Sequence, residues 1–169
     1  MRRAAIVMPL RTAVGAYGGA LRHVPVETLG ATVVREILRR TGLDGAKIEE
    51  VIFAQSYANG EAPCAGRYIA LEAGLPVAVP GYQLDRRCGS GLQAVINAAL
   101  MVQTGNADVV LAGGVESMSS VEYYSTNVRW GARSGSIVMH DRLQRGREDR
   151  KSTRLNSSHH AISRMPSSA

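Results

Sequence analysis

The 169-residue chain is poor in aromatic residues, at 5%, with a single Phe and a single Trp. A core built from it must be filled by Ala, Val, Leu and Ile, with elements packed close together. Cysteine is nearly missing: Cys64 and Cys88 are the two present, and no CxxC or paired His/Cys spacing accompanies them, which argues against a zinc site. One disulfide is arithmetically open, yet nothing directs the chain to an oxidising compartment. Met1-Arg2-Arg3 precedes only the short apolar run Ala4–Met8, closed by Pro9, where a secretory signal needs a longer one. No stretch approaches the roughly 18 apolar residues of a membrane span. These absences predict a cytoplasmic protein with reduced thiols and no membrane partner.

Acidic residues are missing from one end altogether. Residues 150–169 hold Arg150, Lys151, Arg154 and Arg164 and no Asp or Glu; removing these four from the formal charge of +6 leaves +2 for residues 1–149. The basic character therefore belongs mostly to the tail, and no basic helix face interleaved with aromatics points to nucleic acid. Ser152–Ala169 contains six serines and no hydrophobic periodicity, too little apolar surface to offset the entropy of ordering. The stretch RKSTRLNSSH reads as a translated cloning adapter, so residues 149–169 are expected to be a disordered, non-native tail outside the fold.

What is present is an alternating pattern. Ala4–Met8 reads as a buried strand, and Arg11–Leu21 as a Gly-rich loop. Pro25–Thr41 places Leu29, Val33, Ile37 and Leu38 on one helical face and stops at Gly42. Ile48–Ala54 reads as a strand, Ala62–Ala73 as a helix, and Val79–Arg87 as an extended segment. Ser90–Thr104 reads as a helix with Leu92, Val95, Ile96, Ala99 and Leu100 turned inward, capped by Gly105. Asp108–Ala112 is a continuous apolar run of the kind found in central strands buried on both faces. Such alternation predicts a mostly parallel α/β sheet covered by helices. It fails after Ser120, where Val121–Asp141 has loop composition.

The stretch Asp85-Arg86-Arg87-Cys88-Gly89-Ser90-Gly91-Leu92-Gln93-Ala94 carries the chemistry. It sets a cysteine between an extended segment and a helix start, where unpaired backbone N–H groups and a partial positive charge favour thiolate over thiol. A thiolate there is a nucleophile suited to acyl transfer. Gly89 and Gly91 remove side chains from the approach to the sulfur, and Ser90 is placed to cap the helix. The competing reading makes Cys88 a small buried hydrophobe at a strand end. A second competitor treats Gly89–Ala94 as a G-x-G-x-x-A dinucleotide fingerprint. Charged Asp85, Arg86 and Arg87 stand where that fingerprint needs an apolar strand, and Asp108 opens the next strand where the acidic residue should close it.

DRRCGSGLQAV, Asp85–Val95, resembles the nucleophile motif of the thiolases, the acetyl-CoA acetyltransferase group. RTAVGAYGG (Arg11–Gly19), GEAPCAGRYIALEAGLPVAVPG (Gly60–Gly81) and GGVESMS (Gly113–Ser119) resemble further thiolase segments in the same order. The resemblance spans roughly residues 4–148. It implies the N-terminal half of a five-layered αβαβα fold: residues 1–120 as the domain bearing the nucleophile and 121–148 as the start of a truncated loop domain, followed by an unrelated tail. It also implies an acyltransferase that uses coenzyme A thioesters as substrates, binds no cofactor, serves fatty-acid metabolism and forms a homodimer or homotetramer at full length. In that family the cysteine at the Cys88 position becomes acylated, in Claisen condensation of two acetyl-CoA or thiolytic cleavage of a 3-ketoacyl-CoA. The amide of the same cysteine helps hold the thioester oxyanion. The family's catalytic His, second Cys and Asn belong to GHP, CxGGGxG and NEAFA motifs, and none of these occurs here. His23, His140, His159 and His160 lack the matching neighbours, and Cys64 is expected to be a packed or half-exposed thiol. The chain alone is therefore expected to lack turnover. A non-catalytic acyl-CoA-binding module is the alternative, and the GGVESMS turn favours a thiolase over a ketoacyl or hydroxymethylglutaryl-type synthase.

Overall fold

A computed structural model describes residues 2–146, so the predicted tail over 149–169 lies outside the described residues. The described chain divides into two compact units, residues 2–122 and 123–146.

The first unit follows the alternation read from the sequence. Helix α1 spans Val26–Thr41 and ends at Gly42, whose φ of 65° lets its N–H return to the Leu38 carbonyl at 2.9 Å. Strand β1 is Glu50–Ala54, helix α2 Ala65–Glu72, strand β2 Gly81–Leu84, helix α3 Ser90–Thr104 and strand β3 Val110–Gly114. The three strands are parallel in the order β2-β1-β3, with Val51 opposite both Gly81 and Leu111. This is the predicted α/β architecture: a parallel sheet with helices on both faces.

One face of the sheet carries Val51, Phe53 and Leu111 against α1 and α2, through Ala31, Val34, Ala65 and Ile69. The other carries Ile52 and Ala54 against Ala94 and Ala98 of α3. The central strand is thus β1, buried from Val51 to Ala54, and not the Asp108–Ala112 run expected from its apolar continuity. The β3 strand lies at the sheet edge among the described residues, with Leu111 its one buried residue.

Two further expectations are corrected. Ala4–Met8 forms no strand: Ile6 and Val7 are 78% and 71% exposed, and Met8 takes a φ of 54°. An apolar run has strand potential, but a strand needs a ladder partner, and none is supplied among the described residues. The segment is tethered at its start instead, by an Arg2–Asp108 ion pair and by Arg2 N–H donating to the Gln103 carbonyl at 3.3 Å. Helix α3 has the predicted bounds but turns the opposite face inward. Ser90, Ala94 and Ala98 are buried, whereas Leu92, Ile96 and Leu100 are exposed. Small residues let the helix sit close on the sheet, a contact that bulk-weighted periodicity does not anticipate.

In the second unit, β4 (Tyr123–Tyr124) pairs antiparallel with β5 (His140–Asp141), and a short helix α4 (Arg142–Arg145) follows. The Asp141 carboxylate caps α4 by accepting from Leu143 N–H at 2.8 Å. The Tyr124 ring packs against His140, with ring centroids 5.6 Å apart, and Arg145 sits over the Tyr124 ring at 5.6 Å. His140 is thus half-buried in a structural contact. Among the described residues no helix is long and apolar enough to cross a membrane.

Candidate active site

Parallel α/β sheets gather functional residues where their strands end, because loops there are free to vary while the sheet fixes their origins. In the first unit the carboxyl ends of β1 and β3 and the start of α3 converge. A cleft of about 250 Å³ lies there, lined by Gln55, Ser56, Arg87, Ser90, Gly91 and Glu116 among others.

Cys88 sits in a 3-10 turn, Arg87–Gly89, that leads directly into α3. It is exposed, which removes the reading of it as a buried hydrophobe. Gly89 is the N-cap residue of α3 and supplies no side-chain cap, so the first-turn amides of the helix are not met by a capping side chain. A Cβ placed on Gly91 would meet nothing within 4 Å, and one on Gly89 would meet only the aliphatic stem of Arg86. The space beside both glycines is therefore open. Neither Cys88 nor Cys64 forms a disulfide; Cys64 is half-buried at the start of α2, its Sγ 3.5 Å from the Gly81 carbonyl.

Ser90 does not cap α3. It occupies the first helical position and reaches back: its hydroxyl accepts from Arg86 N–H at 2.7 Å and donates to the Arg87 carbonyl at 2.6 Å. The hydroxyl thus closes the turn that holds Cys88. Arg87 itself has a φ of 51°, a left-handed conformation that costs a side-chain-bearing residue. Its N–H donates to Asp85 Oδ1 at 2.8 Å, and its guanidinium pairs with the same carboxylate at 3.2 Å. Arg86 is held from the helix side by a hydrogen bond to Gln93.

Three residues of the site were not singled out from sequence. Ser56 donates from Oγ to the Arg87 carbonyl at 3.2 Å, and Arg87 Nη1 donates to the Ser56 carbonyl at 2.9 Å. The Glu116 carboxylate, inside the GGVESMS turn, accepts from the backbone N–H groups of Ser56 at 2.8 Å and Tyr57 at 3.3 Å. Gln55, 2% exposed, donates from Nε2 to the Tyr57 carbonyl at 3.2 Å, while its Oε1 has no hydrogen-bond partner among the described residues. The usable signal was positional: Gln55-Ser56 and Val115-Glu116 directly follow two parallel strands. Among the described residues no group of three His, Cys, Asp or Glu side chains could hold a metal ion.

The model of the thiolase N-terminal domain matches residues 4–160. This chain belongs to the thiolase family. A thiolase crystal structure, the acetyl-CoA acetyltransferase of Bacillus anthracis, superposes with a TM-score of 0.72 at 38% identity, covering 76% of this chain and 33% of that one. The acetyl-CoA acetyltransferase of Pseudomonas aeruginosa is 41% identical over 143 residues, 85% of this chain and 36% of its own length. A probable acetyl-CoA acyltransferase of Staphylococcus aureus is 37% identical over the same length and shares. The chain therefore spans about a third of the thiolases it matches.

Proposed function

We propose that Cys88 is the acyl-accepting nucleophile of a coenzyme A-dependent acyltransferase of which this chain forms the N-terminal part. The observation that carries the proposal is an exposed cysteine in the turn leading into α3, followed by glycines with open space beside them, inside a thiolase N-terminal domain. The Cys88 sulfur attacks the carbonyl carbon of an acyl-CoA thioester. The C–S bond to coenzyme A breaks, coenzyme A leaves as its thiol after taking up a proton, and the acyl group remains as a thioester on Cys88. The Cys88 amide donates to the carbonyl oxygen as negative charge develops on it. The acyl group then passes to a second acetyl-CoA, or arrives from a 3-ketoacyl-CoA in the reverse direction.

The first half-reaction is the part this chain can attempt. The residues lining the cleft, which Cys88 adjoins in sequence through Arg87, include no histidine and no cysteine. Without base and acid partners, loss of a nucleophile's support typically costs on the order of thousands-fold in rate. We expect slow acetylation of Cys88 and no condensation or thiolysis from the chain alone. In the whole protein we expect a homodimer or homotetramer acting in fatty-acid metabolism in the cytoplasm.

Incubating the chain with acetyl-CoA and mapping its peptides by mass spectrometry tests the reading. The Cys88 peptide should gain one acetyl group, and the Cys88→Ala chain should gain none there. No acetylation of Cys88, in a chain whose circular dichroism shows the helices formed, would leave a non-catalytic acyl-CoA-binding module as the better account.

A further inference from the structure

A trans peptide fixes the N–H of one residue opposite the C=O of the residue before it. The direction of the Cys88 amide is therefore set by where the Arg87 carbonyl points. That carbonyl accepts from three donors: the hydroxyl of Ser56 at 3.2 Å, the hydroxyl of Ser90 at 2.6 Å and the backbone N–H of Ser90. The grip matters because Arg87 has a φ of 51°, a conformation a residue with a side chain leaves unless its surroundings hold it. Ser90 follows the turn in sequence, whereas Ser56 comes from the end of β1 and is itself held. Both oxygens of the Glu116 carboxylate, reaching over from beyond β3, accept from the Ser56 and Tyr57 amides. Arg87 Nη1 closes the ring by donating to the Ser56 carbonyl at 2.9 Å.

We infer that Ser56 and Glu116 are positioning residues for acyl transfer: Glu116 anchors Ser56, Ser56 anchors the Arg87 carbonyl, and together they aim the Cys88 N–H at the oxygen of the incoming thioester. The inference rests on Cys88 being the nucleophile. It adds a division of labour, because the clamp acts on the amide that stabilises the oxyanion and not on the sulfur. Reactions of Cys88 that develop an oxyanion depend on the clamp; those that do not are indifferent to it.

Two reactions at the same sulfur separate these effects. Acetylation by acetyl-CoA passes through a tetrahedral oxyanion, and alkylation by iodoacetamide is a displacement without one. In the 169-residue chain, Ser56→Ala and Glu116→Gln should slow Cys88 acetylation about tenfold, short of the hundredfold or more lost with an entire oxyanion donor. Alkylation of Cys88, which develops no oxyanion for the amide to stabilise, should stay within about twofold of the unsubstituted chain. Ser56→Thr, which keeps the hydroxyl, should return acetylation to the unsubstituted rate. Cys64, half-buried at α2, reports unfolding in the same digest through faster alkylation. If Glu116→Gln raises Cys64 labelling, Ser56→Ala, which deletes one half-buried hydroxyl, carries the decision.

Acetylation that is unchanged in Ser56→Ala, or that falls in step with alkylation, overturns the positioning role and leaves the nucleophile standing. An unsubstituted chain that alkylates at Cys88 but never acetylates there overturns both.

Discussion

Gly66 in α2 lies so close over Gly81 in β2 that a Cβ built on Gly81 would stand 2.8 Å from the Gly66 carbonyl carbon. A Cβ on Gly66 would in turn stand 2.7 Å from the Val51 carbonyl oxygen. Both collisions are with backbone, which cannot rotate away. Gly66→Ala and Gly81→Ala should each destabilise the first unit by about 1–3 kcal/mol, read as a lower urea midpoint at an unchanged slope. Midpoints equal to that of the unsubstituted chain would mean that α2 sits farther from the sheet than described.

Gly91→Ala should behave oppositely. Its Cβ would meet nothing within 4 Å and its backbone is already helical, so stability should hold or rise by up to about 1 kcal/mol. Acetylation of Cys88 should nevertheless slow, because the new methyl group narrows the flank by which a thioester approaches. Faster or equal acetylation in Gly91→Ala would show that the substrate arrives from another side.

Ser90→Ala tests the backward reach of its hydroxyl. Ser90 is 4% exposed, and its loss strands the Arg86 N–H and one partner of the Arg87 carbonyl. A cost of about 1–3 kcal/mol follows for a buried donor left unpaired. Hydrogen exchange gives the decisive detail: the Arg86 amide should exchange faster, while the amides of Leu92 and Gln93 keep their rates. Faster exchange at Leu92 and Gln93 alone would restore the capping role predicted from sequence.

On α3, Ile96→Gln and Leu100→Gln should leave stability within about 0.5 kcal/mol, as for ordinary surface positions. Had these side chains filled the core, truncating either would cost about 2–5 kcal/mol. Urea titrations of the two variants decide between the faces.

Glu36 supplies a pH test away from the site. Hydrogen bonds from Arg39 and Arg40 hold its carboxyl well below the ordinary value, at about 2 against 4.5. A carboxylate with a depressed folded-state value contributes stability above the unfolded value and loses it as pH falls toward the folded one. Any advantage of the unsubstituted chain over Glu36→Gln should be constant at neutral pH, shrink below 4.5 and vanish near 2. The pair is exposed and its contribution small, so thermal midpoints compared pairwise at each pH are the suitable readout. A gap that persists at the lowest pH would assign it to something other than this ion pair.

Local signals carried most of the fold. The bounds of α3 and the C-terminal end of α1 were legible because a helix start, its apolar period and a terminal glycine all lie within one short window. The buried side of α3 was not, since Ala94 and Ala98 signal weakly on any scale that weights size. Strand identity fared worse where it depended on partners: Ala4–Met8 has strand composition and no ladder, and Val110–Leu111 is as apolar as Val51–Ile52 yet less buried. In the site, Cys88 and its glycines were legible as one contiguous motif. Ser56 and Glu116 were not, because Glu116 meets Ser56, and Ser56 meets Arg87, only once three strands are in register, and these pairings span tens of residues.

The position of β3 at the margin of the sheet has a consequence of its own. Among the described residues the outer row of amides and carbonyls of β3 has no ladder partner, and such a row offers a template to an extended segment in solution. At high protein concentration, growth along that margin is the expected route of association, and it does not draw on Cys88. Dilution, or a lysine on the outward side of Val110–Gly114, should therefore slow such edge-to-edge growth.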